Sequence, residues 1–344
     1  MPDFPYINAR VRAMRSRLLS AAQLEELLAT PSLAAFQHAL AATPYGDDLQ
    51  QAQTRYQGVR AVDEALARNL QRTTRKILEF ADGLPQVLIT VLLLRWDLAN
   101  LRAVARGKHA GRSPDDIAEA LMPAGTLGEA VLREMVASPD MSGIVGTLEA
   151  LNHPFTAAMA EALAAYGEAR DLAALELRLD RAYAEVGLGR TAGLGADARV
   201  LRWVLQTEID VTNIKTALRL AAVGNLDEER RLALFIPGGS VLSPELFLEL
   251  SALATQARTW RVVRAAGFPI GDTPTDLVAF ERRIDLALTR AMVRRYTHGD
   301  PLGLDIVMGY LTMKSVEVAN IRLIARAKLL NLPRERARAE MVLV

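Results

Sequence analysis

SVEVANIRLIAR, residues 315–326, has two echoes in the same chain: RWDLANLRAVAR at 95–106 and EIDVTNIKTALR at 208–219. Each holds an acid, an apolar residue, any residue, Asn, an apolar residue, then Arg or Lys. The three hexads supply Asp97, Asn100 and Arg102; Asp210, Asn213 and Lys215; and Glu317, Asn320 and Arg322. The asparagines stand 113 and 107 residues apart. A second marker keeps nearly the same step, 113 and 105: Val62-Asp63 with Leu66, Leu175-Glu176 with Leu179, and Phe280-Glu281 with Ile284. Two markers in register through two intervals identify a threefold internal repeat, with units at 1–117, 118–230 and 231–344. A weaker echo precedes the second marker: ATPSLAAFQHALAATPYGDDL, ASPDMSGIVGTLEALNHPFTAA and ATQARTWRVVRAAGFPIGDT each lead into a turn.

Helical periodicity runs through every unit. Leu277, Phe280, Ile284, Leu288 and Met292 follow the spacing of one helix face, and Leu172, Leu175, Leu179 and Val186 do much the same. Gly107 and Gly224 are read as stops for the first two hexad helices and Pro333 for the third. Alternation bounded by hairpin turns is scarce, so the fold class is all-α.

On a helical wheel Leu94, Leu98, Leu101 and Ala105 form one apolar stripe, with Asp97, Asn100 and Val104 on the neighbouring face. Arg102 lies roughly 140° around from Asp97 by helical periodicity, so the two do not pair within the helix. Acid and Asn therefore need partners elsewhere. One reading is a polar network in the core, with Asn fixing the packing register. The other is a threefold set of contacts facing a shared axis.

Composition narrows the chemistry. The 344 residues carry 41 basic and 40 acidic side chains, a net charge of +1, so there is no global polyanion signature. No cysteine is present, which excludes disulfides, thiolate metal sites and a Cys nucleophile. MPDFPYINARVR has no apolar signal core, and the longest apolar run, VLITVLLL at 87–94, is far short of the roughly 20 residues of a membrane span. The expectation is a cytosolic chain that does not cross a bilayer.

His38, His109, His153 and His298 show no ligand spacing, and neither a Walker loop nor a nucleophile elbow occurs. No catalytic, metal or cofactor residues are expected. GLGRTA at 187–192 fits a dinucleotide pattern but follows a helical stretch ending near Val186, so an interhelical loop is expected. Asp47-Asp48 and Glu228-Glu229 read as solvated turn or surface carboxylates. NARVRAMRSRLL places Val11, Met14 and Leu18 on one face and Arg10, Arg12, Arg15 and Arg17 around the rest, a core-docked helix with a basic rim.

YINARVRAMRSRLL at the start, the turn TPYGDDL and the thrice-repeated hexad together resemble the C subunit of the bacterial and archaeal A/V-type ATPase, whose eukaryotic relative is the V-ATPase d subunit. The resemblance runs from Tyr6 to about Pro333; each motif is short, and their order, spacing and the total length carry it. It implies a three-lobed, pseudo-threefold, all-helical funnel with a central cavity. It also implies a non-catalytic rotor adaptor between the central shaft, made of the D and F subunits, and the membrane proteolipid ring, one copy per complex. Such a protein is peripheral on the cytoplasmic side of the membrane and serves ion transport or ATP synthesis without a cofactor. Lys215 for Arg and Glu317 for Asp are mild departures that keep charge. A free-standing helical scaffold for protein partners would instead never fractionate with membranes. A nucleic-acid binder would show steep salt-dependent retention, which near-zero net charge disfavours.

Overall fold

The computed structural model describes residues 3–224, 226–252, 261, 263, 264 and 276–343. Among them are seventeen helices and no strand, so the all-α reading holds. The chain divides into two compact bodies, one of residues 1–153 with 295–344 and one of residues 154–294. In the first body the order is α1 (Phe4–Arg15), α2 (Ala21–Ala29), α3 (Leu33–Ala41), α4 (Gly46–Gln53), α5 (Gly58–Glu79), α6 (Gly83–His109), α7 (Pro114–Glu119), α8 (Glu129–Ala137) and α9 (Ser142–Ala150). Then come α10 (Thr156–Tyr166), α11 (Leu172–Arg190), α12 (Gly195–Val223), α13 (Glu228–Leu232), α14 (Pro244–Ala252) and α15 (Leu277–His298). The chain returns to the first body with α16 (Asp305–Leu329) and α17 (Arg334–Glu340).

Short polar residues start several of these helices by satisfying first-turn N–H groups. Ser20 and Gln23 form a reciprocal capping box, and Ser32, Ser113, Asp171 and Asp227 each accept from a first-turn amide. Gly224, at φ +66°, ends α12 in the left-handed region that glycine tolerates, as expected.

Three expectations need correction. Gly107 does not end α6, which continues to His109; a Cβ there would lie 2.4 Å from Ile117 Cγ1, so the glycine admits α7 against the helix. GLGRTA is not a loop at its start, because α11 runs to Arg190 and buried Gly187 packs against Leu205 of α12. Asp48 is not solvated: it is buried in α4, where Asn69 and a two-pronged Arg72 hold its carboxylate at 2.7–2.8 Å. The third copy of the weaker echo, 254–273, lies almost wholly outside the described residues.

The hexad helices α6, α12 and α16 are the longest, at 27, 29 and 25 residues. Leu88–Leu94 of α6 is buried throughout apart from Thr90, making this run a core helix, as its length requires. No described helix is long and apolar enough to cross a membrane. In one core, Leu19, Leu24, Leu28, Phe36, Leu49, Leu66 and Leu70 pack with Val318, Ile321 and Ile324 of α16. In the other body Val211, Ile214 and Leu218 of α12 pack with Phe235, Phe247, Leu250, Phe280 and Ile284. Each of these hexad helices is thus cored by residues of another sequence unit. Helix α1 docks through Phe4, Ile7, Asn8 and Val11, with Met14 only half-buried and Leu18 beyond its end.

Candidate functional site

A carboxamide offers a donor and an acceptor in one plane, the two groups needed to pair with one residue's backbone N–H and C=O. Each hexad asparagine does this. Asn100 donates to Met122 O at 2.7 Å and accepts from Met122 N at 2.8 Å. Asn213 holds Ile236 likewise at 2.8 and 2.9 Å, and Asn320 holds Val342 at 2.7 and 3.0 Å. The clamped residues lie 22, 23 and 22 positions after their asparagines, at the end of a strap that begins with the short helices α7, α13 and α17. The side chain stands in for a backbone partner to the clamped residue, and all three asparagines are buried.

The hexad acid grips the next turn. Asp97 accepts from Thr126 N and Oγ1 at 2.9 and 2.7 Å and from Leu127 N at 2.9 Å, with His153 Nε2 3.6 Å away. Asp210 accepts from Ser240 N, Val241 N and Leu242 N at 2.9–3.0 Å and from Ser240 Oγ at 3.1 Å. A carboxylate nested in backbone N–H groups is a strong, charge-assisted arrangement. It needs close approach: a Cβ on Gly125 or Gly239 would sit 2.0 or 2.1 Å from the facing Oδ1. Glu317 accepts from Leu19 N, from Tyr45 Oη at 2.5 Å and from Lys314 Nζ at 2.7 Å.

Leu19, Leu127 and Leu242 are equivalent. Each stands two residues before a helix (α2, α8, α14) whose fourth, seventh and eighth residues are buried: Leu24, Leu27 and Leu28; Leu132, Met135 and Val136; Phe247, Leu250 and Ser251. The hexad of one sequence unit therefore grips the start of the next, and the third grips the first.

The hexad bases sit at the edge. Arg322 and Arg326 pair with Asp63 at 2.9 and 3.1 Å, Lys215 pairs with Asp285, and Arg219 makes a two-pronged pair with Glu281 at 2.7 Å. Asp63 and Glu281 belong to the second marker, so two motifs read separately in the sequence are partners in these places. Arg102 is half-buried on α6. Exposed pairs of this kind contribute about 0–1 kcal/mol each.

Sequence reading missed several members. Lys108 and Lys328, eight residues after Asn100 and Asn320, donate to the last carbonyls of α8 (Val136, Ser138) and of α2 (Leu28, Thr30). Desolvation pushes both ammonium groups below the ordinary lysine range. The shared ARGK and ARAK were their signal. MPAGT at 122–126 and IPGGS at 236–240 were the signal for the straps. Lys314 had none, and Tyr45 stood out only as part of the turn TPYGDDL.

Burial pushes Tyr45 and Tyr310 up, with Glu317 adding to both, and burial pushes Lys314 down. The folded tyrosines keep protons that the unfolded chain releases near pH 10, so their stabilisation is intact below about pH 10 and lost above it. Lys314 acts oppositely: stability rises with pH in the window between its depressed value and the ordinary lysine range. Above that window the tyrosines dominate. Tyr310→Phe should therefore flatten the fall of melting temperature between about pH 10 and 11.5, as thermal melts at stepped pH would show.

These clasps provide grip and no reacting group; among the described residues no cluster of three or more His, Asp or Glu could hold a metal ion. Fold and clasps define an all-α protein whose three hexad asparagines each clamp one backbone residue. Residues 7–340 match the family described as ATP synthase (C/AC39) subunit. The V-type ATP synthase C subunit of Deinococcus radiodurans is 33% identical over 344 residues, covering 99% of this chain and 92% of the relative. That of Thermus thermophilus is 31% identical, covering 99% and 98%. The A-type ATP synthase C subunit of Haloferax volcanii is 30% identical, covering 98% and 97%. The chain belongs to the ATP synthase (C/AC39) subunit family. It is a non-catalytic subunit of a rotary V/A-type ATP synthase.

Proposed function

We propose that this chain is the rotor adaptor that couples a central shaft of D and F subunits to the membrane proteolipid ring. The carrying observation is near-full-length likeness to relatives named as ATP synthase C subunits, across both bodies of the chain. The physical need is clear: a shaft of a few helices is too narrow to cap a ring of many hairpins. Three related units, 1–117, 118–230 and 231–344, would provide a socket for the shaft and a broader rim for the ring. In this reading the protein sits peripherally on the cytoplasmic face, one copy per complex, and turns with its partners. The hexad residues Asp97, Asn100, Asp210, Asn213 and Glu317 tie unit to unit in the interior and Asn320 ties down the third unit's own last segment, while Arg102, Lys215 and Arg322 brace the edges. Partner contact then falls to the surface, where Leu329 and Leu330 at the end of α16 are 55% and 64% exposed.

Removing this protein from the complex tests the reading. ATP hydrolysis by the soluble catalytic part should survive while ATP-driven ion pumping disappears. Pumping that persists in its absence would refute the adaptor role. Leu329→Ser with Leu330→Ser should weaken assembly of the complex while changing the melting temperature of the isolated chain by only about 1–2 °C; a pull-down beside a melt separates the two effects.

A further inference from the structure

The third clasp is built differently from the other two. Asp97 and Asp210 find their main-chain partners 29–32 residues further along. Glu317 finds Leu19, 298 residues away. Loop-closure statistics make a contact across that separation about thirty-fold less probable than one across some 30 residues. Core packing of α16 against α2–α5 spans the same separation, and at the clasp itself two side chains add to it. Lys314 Nζ lies 2.7 Å from both Glu317 Oε1 and Tyr45 Oη, and Tyr45 Oη lies 2.5 Å from the same carboxylate oxygen. The three form a closed triangle, and Lys314 Nζ also sits 4.3 Å over the Tyr45 ring. Tyr45 is fully buried, and Lys314 and Glu317 are each 4% exposed.

Neither addition is a shared repeat feature. Three residues before the hexad acid stand Leu94 in α6 and Thr207 in α12, where α16 has Lys314. Pro44-Tyr45 is echoed by Pro154-Phe155, without the hydroxyl. The extra methylene of Glu317 over Asp lets its carboxylate reach Leu19, Tyr45 and Lys314 together. A buried carboxylate, ammonium and phenol that satisfy one another hold firmly, but removing one strands the other two.

We propose that Lys314 and Tyr45 are the positioning residues that close the third clasp. They make the joint between α16 and the segment entering α2 a side-chain latch, whereas the other two joints are closed chiefly by backbone. The latch opens and closes as a local unit, distinct from the straps held by Asp97 and Asp210.

Residue-resolved amide hydrogen exchange on the full chain tests this, because Leu19, Leu127 and Leu242 are three equivalent amides, each reporting one clasp. Tyr45→Phe should speed exchange at Leu19 by about tenfold and leave Leu127 and Leu242 within about twofold. Lys314→Leu, which installs the residue of α6, should speed it more. The double variant should fall short of the product of the two, since both act on one carboxylate. Unchanged Leu19 exchange in both single variants would overturn the proposal, as would an equal rise at all three amides. Should Lys314→Leu fail to fold, the near-isosteric Tyr45→Phe decides alone.

Discussion

Asp210→Ala should lower the melting temperature of the unit built on α12 by about 10 °C. The carboxylate receives N–H groups from Ser240, Val241 and Leu242 and the Ser240 hydroxyl, and it is 1% exposed. Alanine leaves those buried donors without an acceptor, at about 1–3 kcal/mol each, and roughly 3–5 kcal/mol after relaxation. A domain of this size loses about 2–4 °C per kcal/mol. Asp210→Asn should be nearly as harmful, because the carboxamide nitrogen brings an N–H against N–H donors where an oxygen accepted. Lys215→Ala, five residues along and paired at the surface with Asp285, should cost no more than about 1 kcal/mol. Calorimetry on the three variants reads the order directly. An Asp210→Asn protein that melts like the parent would show that the strap does not need the anion.

How far the sequence led is clearest at this clasp. The hexads and the second marker placed Asp97, Asp210 and Glu317 on long helices at a repeated interval, because repetition of side chains is visible in sequence. It left open whether they faced the interior or a shared axis. The partners could not be read off, because most are backbone N–H groups, which every residue except proline carries. Only positions where the backbone approach excludes a side chain leave a trace, as Gly125 and Gly239 do within MPAGT and IPGGS. Gly107 and Gly187 show the converse difficulty. A glycine after a periodic stretch resembles a stop, and only the packed neighbours, Ile117 and Leu205, reveal that it serves a close crossing inside a helix. Asp48 looked solvated because its partners, Asn69 and Arg72, lie 21 and 24 residues on. Lys314 and the role of Tyr45 were the least legible, since they depart from the repeat that made the hexad acids and asparagines visible.

Gly125→Ala should be among the most damaging single-methyl additions in the first body, and its cost should depend on Asp97. The backbone at Gly125 does not lie in the left-handed region, so alanine meets no conformational objection there. The objection is contact. An added Cβ would lie 2.0 Å from Asp97 Oδ1 and 2.5 Å from its Cγ. Relief requires the carboxylate to leave the amides of Thr126 and Leu127, or the strap to lift from the Asn100 clamp at Met122. Either route surrenders buried hydrogen bonds, for about 3 kcal/mol or more. Gly146→Ala in α9 is the control: its Cβ meets nothing within 4 Å, and alanine in a helix interior should stabilise by about 1 kcal/mol. In an Asp97→Ala background most of the collision at Gly125 is gone, leaving the 2.9 Å approach to the Asp97 backbone nitrogen. Adding Gly125→Ala there should cost much less than in the parent chain, a non-additivity of about 1–3 kcal/mol between touching residues. Strictly additive losses in this double-mutant cycle would mean that the glycine serves the strap for some reason other than the carboxylate it faces.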